Sequence, residues 1–262
     1  MNKSLKFYNQ FDSKLINDYA YGNKRIISAI ENLVRYIPVH SGAQVLDIGC
    51  GIGWSTYEFS RFLQQVEFKG VDLSPILINN AQNLFQNGNL NYEVLDITEK
   101  IPEQKFDAIV MIDVYEHIPQ NQRYKFHKSI STLLNEKGKV ILACPSKYHQ
   151  DFLRKHNPNG LQPIDEDIDL SVLHSLARAI DGEIIYFEFQ EIWRPYDYFY
   201  AVIQSKMGIS VANKLKNNGS FKVEKQKDRL RKLKNQLNID ISLPKKKGIV
   251  ERGIRKIMNN LK

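Results

Sequence analysis

The sequence predicts an α/β protein, a mainly parallel sheet covered by helices on both faces. Strand-like runs alternate with helix-period segments from residue 44 to residue 144, and the first strand runs straight into the glycine-rich stretch VLDIGCGIGWST, 45–56. The chain has 262 residues, 42% hydrophobic and 11% aromatic, which suits one domain with a full core plus an extension.

Residues 1–37 read as helical, with Ile26, Ile27, Ile30, Leu33 and Val34 recurring at helical spacing. Pro38 ends that region and Ser41-Gly42 supplies a turn before a strand over 44–48. A helix fits 54–65, a strand 67–72, and a helix 75–87 that opens on Ser74-Pro75 and stops at Asn87-Gly88. Strands follow at 91–95 and 106–112. A helix over about 120–135 ends in the turn Glu136-Lys137-Gly138 and leads to a strand at 139–144. Residues 145–169, rich in Pro, Asn, Asp and His, read as a long loop. A helix at 170–180 and strands at 183–189 and around 197–204 complete the sheet.

Ligands of such sheets bind beyond the carboxyl ends of the strands, near the point where strand order reverses. That rule collects 49–53, 72–74, 96–97, 113–117 and 145–149 on one rim. Gly49, Gly51 and Gly53 stand at alternate positions there. Glycine costs roughly 0.5–1 kcal/mol relative to alanine inside a regular element, so the cluster marks either a tight turn or a ligand lying against backbone. A dinucleotide fingerprint needs G-x-G-x-x-G. Trp54 or Thr56 occupies the third glycine position, depending on register, so that fingerprint fails.

The pattern present is Asp47-x-Gly49-x-Gly51-x-Gly53, followed by Asp72 at the end of the second strand. In VLDIGCGIG (45–53), GVDLS (70–74), YEVLDIT (92–98), FDAIVMIDVYEHI (106–118) and LLNEKGKVILACPS (133–146), the sequence resembles the class I S-adenosylmethionine-dependent methyltransferases of small-molecule type. The resemblance implies a three-layer sandwich around a seven-stranded, mostly parallel sheet, the Rossmann-like methyltransferase fold, with S-adenosyl-L-methionine as cofactor. It assigns the methionine end and sulfonium to the turn Gly49, Cys50, Gly51 and Gly53, with Asp47 near the amino group. It places the ribose hydroxyls on Asp72, the adenine against Leu73, the adenine amine on Asp96 and a ring nitrogen on the Ile97 amide. Asp113 faces the space between cofactor and acceptor. From an N-terminal lid, Tyr21 or Arg25 would reach the cofactor.

Transfer from a cationic sulfur is an in-line displacement that needs no metal, and no His/Cys/Asp cluster has metal-ligand spacing. A hydroxyl or ammonium acceptor must lose a proton, and histidine is the usual base. His117 and His149 stand on the rim as candidates, each with a plain structural role as the alternative.

Charge divides the chain. Residues 205–262 hold 17 Lys+Arg against 4 Asp+Glu, whereas 1–204 hold 20 against 25. Leu230, Leu233 and Leu237 share one helical face, and Val250, Ile254, Ile257, Met258 and Leu261 another. Basic amphipathic helices of this kind either pack on the body or a dimer mate, dock on a membrane surface, or bind nucleic acid. There is no membrane-length apolar run, no signal-peptide core, and only Cys50 and Cys144.

These observations lead to a methyltransferase domain over 1–204, with 1–40 as a helical lid, and a basic helical extension over 205–262. The expected reaction is methyl transfer to oxygen or nitrogen of a small-molecule or glycan-type acceptor. The expected location is cytoplasmic, with membrane-surface contact through the tail and a homodimer as open possibilities. An RNA methyltransferase anchored by the tail and a non-catalytic assembly protein are the alternatives.

Overall fold

The computed structural model describes residues 11–206 and 221–241. The elements in chain order are α1 (Asp12–Tyr21), α2 (Lys24–Leu33), β1 (Ala43–Ile48), α3 (Trp54–Phe62), β2 (Val66–Asp72), α4 (Pro75–Leu84), β3 (Leu90–Val94), β4 (Phe106–Ile112), α5 (Arg123–Leu133), β5 (Leu134–Pro145), α6 (Lys147–His156), α7 (Leu170–Ala179), β6 (Gly182–Gln190), β7 (Tyr198–Ser205) and α8 (Gln226–Leu237). The sheet has seven strands in the order β3-β2-β1-β4-β5-β7-β6. It is parallel from β3 to β5, while β7 runs antiparallel to both β5 and β6. This is the Rossmann-like methyltransferase sandwich that the motifs imply.

Strand parity builds the layers. Ala43 and Val45 of β1, Ala108 and Val110 of β4, and Tyr200 and Val202 of β7 pack with α1, α2, α3 and α4. Their neighbours Leu46, Ile48, Ile109, Met111, Ala201 and Ile203 pack with α5 and α7 on the other face. A strand buried on both sides must be apolar at consecutive positions, and FDAIVMI is such a run.

Four boundaries differ from the sequence reading. The N-terminal helical region is two helices, because Gly22 takes φ +81° as a C-terminal cap and Asn23 then accepts the Arg25 amide at 3.0 Å to start α2. Helix α4 stops at Leu84, short of Asn87-Gly88. Phe85 turns extended to bury its ring, edge-on to Tyr19 and stacked on Tyr57. The turn at Glu136-Lys137-Gly138 becomes a bulge inside a longer β5, where pairing shifts register between Phe106↔Leu134 and Ala108↔Lys139. Within the expected loop 145–169, α6 forms because the Ser146 hydroxyl accepts the His149 amide at 3.3 Å and Arg154, Lys155 and His156 fill its last turn.

In the basic extension, α8 lies against α1 and α4, with Leu233 fully buried and Leu230 and Leu237 packed beside it. Lys227, Arg231 and Lys234 face outward. The second amphipathic segment, 248–262, lies outside the described residues.

Candidate active site

The glycine turn links β1 to α3. Gly49, Gly51 and Gly53 have φ of +68°, +57° and +84°, the left-handed region that side chains with a Cβ rarely adopt. Close packing adds a second reason at two of them. A Cβ at Gly49 would fall 2.5 Å from Val114, and one at Gly53 would fall 2.6 Å from the Tyr92 ring. Turn geometry therefore explains much of the cluster before any ligand is considered. The Gly49 and Cys50 amides donate to the Val71 carbonyl at 2.8 and 3.0 Å, and the Gly51 amide to Asp72 at 3.0 Å.

Two cavities meet at this rim. One, of about 220 Å³, is bordered by Asp72, Leu73, Asp96, Ile97, Phe126 and Ile164 among others. The second, of about 110 Å³, lies between the glycine turn and the N-terminal helices, bordered by Lys14, Leu15, Arg25, Cys50 and Trp54. Both touch Gly49, Asp72, Asp113 and His117. The structure thus brings together every proposed cofactor residue except Asp47, Tyr21 and Gly53; Gly53 borders neither cavity, and its carbonyl accepts the Tyr92 hydroxyl at 3.0 Å. Asp47 is buried behind the turn, where Ser55 and Thr56 donate to one carboxylate oxygen at 2.8 and 2.7 Å. Burial raises its pKa to about 6 against those two bonds. It organises the start of α3 rather than bordering either cavity. Tyr21 is 47% exposed and borders neither cavity. The helix turns it outward, and Arg25, four residues on, faces the site.

Asp72 is 9% exposed and also accepts the Ser74 amide at 2.9 Å. Burial raises its pKa, with the Ser74, Gly51 and Leu73 amides opposing. Asp96 spends one oxygen on the Thr98 amide and hydroxyl at 2.8 and 2.6 Å. Asp113, at φ +56°, pairs with Arg25 Nε at 3.0 Å, both side chains being mostly buried. Its other oxygen is buried without a hydrogen-bond partner among the described residues. Arg25 in turn donates to the Tyr198 hydroxyl at 3.1 Å.

The two histidines separate chemically. His117 Nδ1 lies 2.7 Å from the Ile164 carbonyl and 3.2 Å from Asp165, with Glu116 3.7 Å from Nε2. Burial alone would depress it, but Glu116, Asp165 and that carbonyl outweigh burial and raise its pKa to about 9. Surroundings that favour the imidazolium make His117 a less available proton acceptor than His149. His149 goes the other way. Burial lowers its pKa, opposed by Asp197 and Asp113 and assisted by Arg25 and Arg194. That shift favours the neutral imidazole, its Nδ1 is buried without a hydrogen-bond partner among the described residues, and its ring lies among Trp193 and Tyr198 at 6.0 and 5.5 Å; it borders neither cavity.

Sequence reasoning missed Lys14, Leu15, Tyr198, Asp165 and the stretch Gln162–Ile164. None carries a motif signal, since each reaches the rim only through tertiary folding. One capping signal was available: Asp197 accepts the amides of Ile192, Trp193 and Arg194 at 2.9, 2.8 and 3.1 Å, and so shapes the turn that presents Trp193.

The sheet order, the glycine turn and the acid at the end of β2 are those of the Rossmann-like methyltransferase fold. Residues 45–138 match the methyltransferase domain family model. The chain is 32% identical over 115 residues to the ubiquinone biosynthesis O-methyltransferase of Coxiella burnetii, covering 43% of this chain and 47% of that protein. It thus spans about half the length of that relative. It is 22% identical over 240 residues to the malonyl-[acyl-carrier protein] O-methyltransferase of Acetivibrio thermocellus, covering 81% and 80%. Its fold is similar to that of magnesium protoporphyrin IX methyltransferase from Synechocystis, solved with S-adenosylhomocysteine bound, at a TM-score of 0.61 and 16% identity over 77% of this chain and 97% of that one.

Proposed function

We propose that this chain transfers a methyl group from S-adenosyl-L-methionine to an oxygen of a small-molecule or glycan-type acceptor. The observation that carries the reading is the junction of the two cavities at Gly49, Asp72, Asp113 and His117. The donor set fits the cofactor. Asp72 offers a carboxylate to the ribose diol, Asp96 to the adenine amine, Leu73 and Phe126 apolar surface to the ring, and the Ile97 amide a donor. The turn from Gly49 through Cys50 to Gly51 borders the methionine end, where Lys14 and Arg25 supply charge opposite to its carboxylate. When bound, the cofactor supplies a methyl group on a cationic sulfur.

The chain's own work is then positioning and proton transfer. The Asp113–Arg25–Tyr198 chain fixes the floor of the crevice, and holding reactants in line supplies roughly 7–11 kcal/mol in favourable cases. His149 borders neither cavity but packs beside Tyr198, which Arg25 ties to the site, and in this reading its Nδ1, unpartnered among the described residues, takes the acceptor proton. Oxygen is favoured over nitrogen because both curated relatives above are named O-methyltransferases.

Incubation of the full chain with labelled-methyl cofactor and fractionated cell extract tests this. The expected product carries label on oxygen, and label on nitrogen, or cofactor binding without transfer to any fraction, contradicts it. For location, the reading is a cytoplasmic protein whose outward Lys227, Arg231 and Lys234 meet an anionic membrane surface. No helix among the described residues is long and apolar enough to cross a membrane. Flotation with anionic vesicles at low salt is the check, and no binding there removes the membrane contact.

A further inference from the structure

The transfer described above uses nothing beyond Ser205, yet residues 221–241 are tied to the body by buried polar contacts. Arg229, 4% exposed, donates from Nε to the Tyr19 carbonyl at 2.8 Å and from a terminal nitrogen to the Glu224 carbonyl. Its guanidinium lies 5.5 Å from the Trp54 ring centre and 6.0 Å from that of Tyr19. Gln226 donates to the Ala20 carbonyl at 3.5 Å. Tyr19 and Ala20 are in the last turn of α1, where helix geometry leaves carbonyls without intrahelical partners. That turn has no basic residue of its own. A cation delivered there from α8 satisfies both the orphan acceptors and the negative end of the helix dipole.

The surrounding groups complete a clamp. Glu224 accepts the Tyr19 hydroxyl at 3.1 Å and pairs with Lys232 at 3.1 Å, while its own amide donates to Glu58 of α3 at 2.9 Å. Gly22 leaves room for the guanidinium, since a Cβ there would lie 2.5 Å from Arg229. What the clamp holds is the wall of the crevice. Lys14 and Leu15 of α1 and Trp54 of α3 border the cavity beside the glycine turn, and Leu15 sits 3.0 Å from the place of a Gly51 Cβ.

We infer that Arg229 is a positioning residue for cofactor binding: α8 fastens α1 over the glycine turn, so that the two ends of the described chain close one wall of the site. The inference rests on the cofactor reading of the crevice. Loss of the guanidinium frees the Tyr19 and Glu224 carbonyls and lets α1 open locally, and an opened α1 competes with ligand binding.

The test uses the full chain in two measurements: calorimetric titration with S-adenosylhomocysteine, and hydrogen exchange of the ligand-free protein. Arg229→Met keeps apolar bulk and removes the donors. It is expected to weaken binding about tenfold and to speed exchange of the 12–21 amides while strand amides stay slow. Arg229→Lys, which keeps a cation and a donor, restores most of the affinity. Wild-type affinity together with unchanged exchange at 12–21 in Arg229→Met overturns the inference. If that variant does not fold, Glu224→Gln replaces it, with a several-fold loss expected and no change counting against the clamp. Should the wild type itself not bind S-adenosylhomocysteine, the cofactor reading fails, and the exchange of residues 12–21 still decides whether α8 fastens α1.

Discussion

Asp72→Asn probes the residue on which the proposed site turns. The carboxylate accepts the Gly51 amide at 3.0 Å on one oxygen and the Ser74 amide at 2.9 Å on the other, and it borders both cavities. Asparagine presents an NH2 group where one oxygen was, so one buried backbone N–H loses its acceptor. That loss costs about 1–3 kcal/mol of stability. In a chain of this size it corresponds to a fall in melting temperature of about 2–4 °C per kcal/mol. A hydrogen bond from a ribose hydroxyl to a charged acceptor is worth about 1.5–3 kcal/mol. Its loss weakens binding by about 10- to 150-fold at 1.4 kcal/mol per decade. Titration calorimetry with S-adenosylhomocysteine, run below the variant's melting temperature, reads the second effect apart from the first. Affinity within threefold of wild type, in a variant that still unfolds cooperatively, would refute the assignment of Asp72 to the ligand.

Gly53→Ala combines a left-handed φ of +84° with a Cβ 2.6 Å from buried Tyr92. A loss of about 2–5 kcal/mol in urea unfolding is expected, whereas Gly88→Ala, with nothing within 4 Å, leaves stability nearly unchanged. Arg25→Met leaves Asp113 as an uncompensated buried charge, a cost of about 3–5 kcal/mol in the same assay. With His149 as the base, the acidic limb of the kcat profile is expected to lie below the ordinary histidine range, to persist in His117→Gln, and to be lost with most activity in His149→Gln. His117 has a folded pKa raised from 6.5 to about 9, so its contribution to stability is full below pH 6.5 and disappears as pH rises through 9. The stability gap between wild type and His117→Gln, measured by chemical denaturation, is therefore expected to be widest near pH 6 and smallest near pH 10.

Local pattern alone specified the alternating strands, the glycine turn, and the acids Asp72, Asp96 and Asp113 on one rim. These features follow from short-range rules: the two-residue period of a strand, the φ freedom of glycine, and the placement of strand ends in a parallel sheet. Tertiary structure decided what those rules cannot encode. Arg25 reaches Asp113 across 88 positions of chain, and Asp165 and Ile164 arrive from a distant loop to contact His117 Nδ1. The same folding turns Tyr21 outward, buries Asp47 behind the turn, and packs His149 among Trp193 and Tyr198. The leucine face of α8 was legible as amphipathic, but its partner was not, because an apolar stripe states that it must be covered and not by what. A side chain's proton affinity and a helix's docking surface are properties of neighbours brought together by the whole chain, and only the closed fold supplies those neighbours.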